Sequence, residues 1–178
     1  MIQKTIITIC LLLGAFILSS CDDEDSPSGI INHVKEGDPL PSFEAYGAAH
    51  QLLTTEMLTG KRVVLVLFST ECPDCQRELP KIEAVWKHFK EEADFTVVTI
   101  ARGESAEMVS AYWEKEAGEK KPFTMPFYLD PDRAIFNAFA NSYVPRVYLV
   151  NREGVITWMG IETIEPTAEE LIEMVNSL

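Results

Sequence analysis

The sequence predicts an α/β fold in which a central mixed β-sheet is flanked by helices. Residues 63–68 form an unbroken apolar, β-branched run, which is typical of a strand buried on both faces of such a sheet. Residues 95–100 repeat this pattern after an intervening segment with helical periodicity. The order of strand, helix and strand favours a right-handed βαβ unit.

The other elements follow from the same two periodicities. Leu79, Ile82 and Phe89 recur at helical spacing, which predicts a helix running to Glu92. A second helix is predicted over 105–118; it begins at Ser105 and buries Met108, Val109, Tyr112 and Trp113. A strand over 127–129 and a short helix over 131–139 follow, and then two strands over 147–150 and 155–159, which are joined by a turn with Gly154 at positive φ. A closing helix runs from Thr167 to Val175 and begins with a Thr167/Glu170 capping box.

The first 36 residues have the composition of a targeting segment and a linker. Lys4 precedes an apolar run over 6–18, which has the length of a signal-peptide core and is too short for a membrane span. The run closes with Leu-Ser-Ser-Cys at 18–21, which resembles the lipobox of bacterial lipoproteins. We therefore expect a lipoprotein signal peptide over 1–20, a lipid on Cys21 and an acidic tether over 21–36 before a domain at 37–178. An ordinary cleaved signal peptide is the alternative.

The charge of the chain limits its partners. It carries 28 acidic and 15 basic side chains, a formal net charge of -13. Such an acidic surface repels polyphosphate and anionic lipid, which argues against nucleic acid as a partner. Attachment to a membrane would then come from acyl chains.

The motif Cys-Pro-Asp-Cys at 72–75 lies where the central strand ends and a helix begins. Unpaired amides and the positive end of the helix dipole at that point stabilise a thiolate, which is the form that attacks disulfides. We expect Cys72 to be the nucleophile and Cys75, one turn further on, to be the resolving thiol. A zinc site would need further ligands at suitable spacing, which the three histidines do not offer, and a disulfide closing so small a loop stabilises little.

These residues resemble the TlpA/ResA branch of the thioredoxin superfamily. The resemblance is carried by residues 63–80 around the motif and by the segments 37–43, 60–61, 129–132 and 144–154. It implies a thioredoxin-like fold with an N-terminal extension and an inserted helix. It also implies protein substrates with disulfides and a membrane thiol-disulfide electron donor, with neither cofactor nor metal. We expect a monomer.

Two further site residues are implied by the resemblance. Pro145 matches the cis-proline that packs opposite the cysteines and presents its neighbour's backbone to an extended substrate. Glu78 matches the acidic residue of this branch, a proton acceptor that would help Cys75 to attack; a solvated helix carboxylate is the alternative. The position where thioredoxins keep a buried aspartate is Val66 in this chain, so Glu78 is the candidate for that role.

The residues beside the motif differ from those of many relatives. Glu71 and Asp74 place two carboxylates close to Cys72, and negative charge opposes thiolate formation. The strength of the nucleophile therefore depends on how these charges are compensated.

The function expected is that of an extracytoplasmic, lipid-anchored thiol-disulfide oxidoreductase that reduces protein disulfides. A peroxiredoxin-type peroxide reductase is one alternative, because Ser69 stands three residues before Cys72, although Leu65 occupies the place of the expected proline. A metal-handling or binding lipoprotein on the same fold is another. The residue before the expected cis-proline is Val144, and a valine also occurs there in oxidising relatives, so both directions of electron flow stay open.

Overall fold

The computed structural model describes residues 29–115 and 122–178. The expected signal peptide, the lipidation site at Cys21, most of the tether and the end of the predicted second helix lie outside these residues. No helix in the described part of the chain is long and apolar enough to cross a membrane. The elements of the described residues are β1 (Glu44–Gly47), β2 (Leu52–Thr54), a 3-10 helix (Thr55–Leu58), β3 (Arg62–Phe68), α1 (Pro73–Phe89), β4 (Phe95–Arg102), α2 (Ala106–Glu114), β5 (Phe127–Asp130), α3 (Ala134–Phe139), β6 (Arg146–Val150), β7 (Ile156–Ile161) and α4 (Ala168–Asn176).

The described strands form one mixed sheet in the order β2-β1-β5-β4-β3-β6-β7. β4 runs parallel to β3 and to β5, whereas β6 is antiparallel to β3. Every residue of β3 is buried, as the continuous apolar run predicted. Phe68 lies opposite Ala101 in the register of β3 and β4. The chain therefore leaves both strands at the same edge of the sheet, where the cysteine motif follows. The α/β fold with a central mixed sheet is confirmed.

Helix α1 packs against β4 and α4 through an apolar face. The predicted positions Leu79, Ile82 and Phe89 are all buried, and burying a side chain of this size contributes about 1.5–3 kcal/mol. On the inserted helix α2, the ring of Trp113 lies 5.2 Å from that of Phe68, measured between centroids. These contacts hold both helices against the central strands.

The predicted helix starts and the predicted turn are present. Ser105 Oγ accepts a hydrogen bond from the Met108 amide at the start of α2. Thr167 and Glu170 form the capping box of α4, with both reciprocal hydrogen bonds. Gly154 closes the turn between β6 and β7 with a φ of 78°, a left-handed conformation that glycine adopts without steric cost.

Several element bounds differ from the prediction. Strands β1 and β2 were not predicted from the sequence. Met108 is 44% exposed, because α2 turns only Val109 and Trp113 fully into the core. Helix α3 begins at Ala134 rather than at Pro131, because Arg133 before it adopts a left-handed φ of 62°.

The last residues of the predicted tether contact the folded domain. Val34 is buried, and the Ile31 amide donates to Asn141 Oδ1 at 2.9 Å. The start of the domain was predicted at Gly37, whereas these contacts begin several residues earlier. The described chain is in contact with the loop before β6 from Gly29 onward, because the Gly29 carbonyl accepts from Asn141 Nδ2 at 3.2 Å.

Candidate active site

Cys72 is the N-cap of α1. Pro73 occupies the first turn of the helix, where it is favoured because its missing N–H would have no partner there. The Cys75 amide donates to the Cys72 Sγ atom at 3.4 Å. Both cysteines are free thiols; Cys72 is partly exposed and Cys75 is buried. The motif therefore presents one accessible sulfur with a second, inaccessible sulfur one turn along the helix.

The buried thiol of Cys75 has a strongly perturbed acidity. Burial raises the pKa of Cys75 well above its ordinary value, and the interaction with Cys72 raises it further. A hydrogen bond from the Ser69 backbone and the charge of Arg102 act in the opposite direction. Cys75 is therefore a protonated thiol at neutral pH and must lose its proton before it can attack a disulfide.

The loop that carries Pro145 faces Cys72. The Val144–Pro145 peptide bond is cis, as the resemblance implies, and the Cys72 thiol donates to the Val144 carbonyl oxygen at 3.3 Å. Tyr143, immediately before these residues, is 43% exposed. The structure thus brings the predicted residues Cys72, Cys75 and Pro145 together.

Arg146 fixes this loop from inside the protein, and the sequence analysis missed it. Its side chain is fully buried. It donates to the Ser142 carbonyl at 2.7 Å, to the Tyr143 carbonyl at 3.2 Å and to Asn32 Oδ1 at 2.7 Å. The sequence did contain a signal for this role: Arg146 directly follows the candidate cis-proline, and a long cationic side chain at that position can reach the carbonyls of its own loop.

Glu104 fixes the loop that precedes Cys72, and it was also missed. It is only 6% exposed. One carboxylate oxygen accepts from Ser69 Oγ at 2.7 Å, from the Thr70 amide at 2.8 Å and from Thr70 Oγ1 at 3.0 Å. Its position just after β4, at the same sheet edge as the motif, was the signal in the sequence. Glu104 ties the ends of β3 and β4 together beneath the motif.

Glu78 is buried, with 2% exposure, so it is not the solvated helix carboxylate of the alternative interpretation. Arg77 Nε lies 3.0 Å from one of its carboxylate oxygens, and Lys81 Nζ lies 2.7 Å from the other. Arg77 also pairs with Asp74 at 2.8 Å, which offsets part of the negative charge predicted beside Cys72. That pair is about half exposed, so its effect is modest.

A third missed residue, Arg102, ends β4 at the same sheet edge as the motif. Its guanidinium carbon lies 4.5 Å from the centroid of the Phe136 ring. Burial lowers the pKa of Arg102, as do the charges of Arg133 and Arg146. The sequence predicted a strand up to residue 100 and offered no reason to connect an arginine two residues beyond it with the cysteines.

The cysteine pair lies apart from a large cavity of the domain. This cavity of about 880 Å³ lies between β7 and α4, and Trp158 and Met174 are among its lining residues. Its lining does not include Cys72 or Cys75. Within residues 29–115 and 122–178, no group of three or more histidine, cysteine, aspartate or glutamate side chains is arranged to hold a metal ion.

Known proteins with the same architecture and sequence pattern are found among bacterial redox proteins. ResA of Bacillus subtilis (strain 168), a thiol-disulfide oxidoreductase, is 28% identical over 123 residues, which cover 69% of this chain and 65% of that protein. ResA of Halalkalibacterium halodurans is 24% identical over 143 residues, covering 80% of this chain and 78% of that protein. A solution structure of a candidate protein disulfide isomerase from Bacteroides thetaiotaomicron matches with a TM-score of 0.70 and 31% identity, covering 84% of this chain and 89% of that one.

These relatives confirm the thioredoxin-like fold and the resemblance to the TlpA/ResA branch. The matched part of the chain spans just under two thirds of the length of the Bacillus subtilis protein. The family model described as Redoxin matches residues 35–175, nearly the whole described domain. The chain therefore belongs to the Redoxin family.

Proposed function

We propose that this protein is an extracytoplasmic thiol-disulfide oxidoreductase that reduces protein disulfides through Cys72 and Cys75. The observation that carries the proposal is the geometry of the pair. The accessible Cys72 sulfur caps a helix N-terminus within hydrogen-bond distance of the Val144 carbonyl, and Cys75 lies buried one turn behind it. The names of the relatives, two of them thiol-disulfide oxidoreductases, support the same chemistry.

The reaction takes two exchange steps. The Cys72 thiolate attacks one sulfur of the substrate disulfide, so that a mixed disulfide forms and the other substrate sulfur leaves as a thiolate. Cys75 then loses its proton and attacks the Cys72 sulfur, which releases the second substrate thiolate and leaves a Cys72–Cys75 disulfide. Two electrons have passed to the substrate, whose thiolates take up the protons. A membrane thiol-disulfide electron donor restores the dithiol.

Two other residues take part in these steps. The backbone beside Pro145 binds the extended substrate chain, because the Val144 carbonyl faces the attacking sulfur. Glu78 accepts the proton of Cys75. Its burial one turn beyond Cys75 in α1 supports this role, since a carboxylate in that position can receive a proton that solvent cannot reach directly.

The location proposed for this protein is the extracytoplasmic side of the cell envelope, facing the periplasm or the cell surface, with lipid on Cys21 after removal of residues 1–20. The lipobox-like sequence supports this location. In cells given a labelled fatty acid, the wild-type protein should take up label and sediment with membranes. The Cys21→Ser variant should do neither, and a labelled Cys21→Ser protein would contradict lipidation at this residue.

Insulin reduction with a thiol donor tests the proposed reaction. Cys72→Ala should abolish activity, whereas Cys75→Ala should accumulate a mixed disulfide on Cys72 that gel electrophoresis without reductant detects. Activity that survives Cys72→Ala would contradict the proposal, and peroxide consumption by the wild type would favour the peroxiredoxin alternative. Stoichiometric metal in the purified reduced protein would favour the metal-handling alternative.

The reduction potential of the pair tests the direction of electron flow. Reductants of this superfamily have values near about -270 mV and strong oxidants near about -120 mV. Equilibration with glutathione should give a value close to the first. A value close to the second would assign the protein to disulfide formation instead.

A further inference from the structure

Arg102 is a partly buried cation without an anionic partner. Its Nε is buried and makes no hydrogen bond, and no carboxylate within residues 29–115 and 122–178 forms an ion pair with it. The ring of Phe136 holds the guanidinium by a cation–π contact at 4.5 Å. Placing a charge in such surroundings is costly unless another charge compensates it. An uncompensated arginine in a chain with a net charge of -13 therefore requires an explanation.

The candidate anions near Arg102 are bound to other groups. Asp130 lies opposite Arg102 in the register of β4 and β5, but its two oxygens accept from the amides of Ile135 and Phe136 at 3.0 and 2.7 Å. Glu104, two residues further along, is bound to the loop before Cys72. The other charged side chains that act on Arg102 are Arg133 and Arg146, which repel it.

Cys75 and Cys72 are the acidic groups whose charge acts on Arg102. β3 and β4 end side by side, with Phe68 opposite Ala101, so Arg102 emerges at the sheet edge where the motif begins. The interaction is mutual: the charge of Arg102 lowers the pKa of Cys75, and Cys75 and Cys72 both raise the pKa of Arg102.

We infer that Arg102 is an electrostatic partner of the cysteine pair, which stabilises the Cys75 thiolate as that thiolate attacks the mixed disulfide. The inference rests on the proposed roles of the two cysteines. Val66 in the central strand is buried and apolar, so it can neither take a proton nor stabilise an anion. Glu78 and Arg102 have complementary roles: the carboxylate takes the proton, and the guanidinium stabilises the anion that remains.

The step concerned is the intramolecular one. Cys75 gives up its proton, and its sulfur forms a bond to the Cys72 sulfur while the bond from Cys72 to the substrate sulfur breaks. Negative charge moves from the Cys75 sulfur to the departing thiolate. A fixed cation at the start of this movement raises the fraction of Cys75 that is ionised at neutral pH.

An aromatic disulfide that releases a coloured thiolate separates the two chemical steps. The full chain in detergent, with Cys10→Ser and Cys21→Ser so that only the pair reacts, should release the thiolate in two phases. The first phase reports attack by Cys72, and the second reports displacement by Cys75. We expect Arg102→Gln and Arg102→Met to raise the pKa of Cys75 further, by about one unit, and so to slow the second phase at every pH at which this thiol is largely protonated.

The rate of the second phase should change less than the thiolate fraction of Cys75. A shift of one unit lowers the thiolate fraction about tenfold, but a more basic thiolate is nearly threefold more nucleophilic, so the rate at neutral pH should fall about threefold. Arg102→Lys retains the charge and should restore most of the rate. Arg133→Gln removes an exposed cation that also acts on Arg102, and it should change the rate of the second phase by less than about twofold.

The outcomes separate this inference from the proposed function. Absence of the first phase in the wild type would contradict the assignment of Cys72 as the nucleophile. Two normal phases in the wild type, with the same second-phase rate in Arg102→Gln and Arg102→Met, would overturn the role of Arg102. A slower second phase in these variants that Arg102→Lys does not restore would also overturn it, because lysine retains the positive charge that the inference requires.

Discussion

The thiol of Cys72 donates a hydrogen bond to the carbonyl oxygen of Val144 at 3.3 Å, while the same sulfur accepts one from the Cys75 amide at 3.4 Å. The second bond survives ionisation of the sulfur, whereas the first requires the thiol proton. A substrate that approaches along the loop before Pro145 therefore meets the sulfur and a free carbonyl together once the thiolate forms. Ionisation of the Cys72 sulfur therefore activates it for attack and at the same time frees the carbonyl that aligns the substrate.

The first prediction separates the capping role of Cys72 from its chemistry. Cys72→Ser should keep both hydrogen bonds, because serine is a favoured N-cap and its hydroxyl can reach the same carbonyl, whereas Cys72→Ala should lose about 1 kcal/mol of unfolding free energy. Both variants should be inactive. Denaturant unfolding of the reduced proteins measures the difference. Equal stability of the two variants would show that the cap contributes nothing.

The second prediction compares two buried carboxylates of α1. Glu78→Gln should slow the displacement of substrate by Cys75 about tenfold or more, because an amide cannot take the proton. Glu83 is the matched control: it is equally buried but accepts from the amides of Thr124 and Met125. Glu83→Gln should cost about 1–2 kcal/mol of stability and leave displacement within about twofold.

Rapid-mixing measurements of the two phases, together with denaturant unfolding, distinguish these variants. If Glu78→Gln displaces substrate at the wild-type rate, the proton must leave Cys75 by another route. If Glu83→Gln slows displacement as much as Glu78→Gln, the effect reflects a general disturbance of the helix.

The sequence predicted those features of the fold and site that depend on residues close together in the chain. The apolar run of β3, the capping box of α4 and the position of the cysteines at a helix start are all local patterns. Hydrogen bonds between distant residues had no such signature: Glu104 reaches Thr70 across 34 positions and Arg146 reaches Asn32 across 114. The short edge strand β2 and its neighbour β1 were missed because three or four residues are too few to establish a periodicity.

The third prediction follows from the raised pKa of Cys75. Below the ordinary thiol pKa of about 8.5, the folded and the unfolded chain both keep this proton, so stability does not depend on it. Above that pH the unfolded chain loses the proton while the folded chain keeps it. The reduced protein should therefore lose about 1.4 kcal/mol of unfolding free energy per pH unit relative to Cys75→Ala.

Denaturant unfolding of both proteins with a reductant, at neutral pH and at two alkaline values, measures this loss. Burial also raises the pKa values of Tyr128 and Tyr148, but these tyrosines are present in both proteins and cancel in the comparison. Parallel pH dependences for the two proteins would show that Cys75 ionises in the folded state at its ordinary pKa.

The fourth prediction concerns the carboxylate that joins the ends of β3 and β4. Glu104→Ala removes the acceptor for three donor groups, the Ser69 hydroxyl and the amide and hydroxyl of Thr70, and leaves the Thr70 amide buried without a partner. The expected cost is about 2–3 kcal/mol, with faster hydrogen exchange at that amide. Because this loop positions Cys72, the first exchange step should slow as well. Glu107→Ala, at an exposed carboxylate in the first turn of the neighbouring helix, should cost less than about 1 kcal/mol. A Glu104→Ala protein with unchanged exchange at Thr70 would show that the loop holds its conformation without this carboxylate.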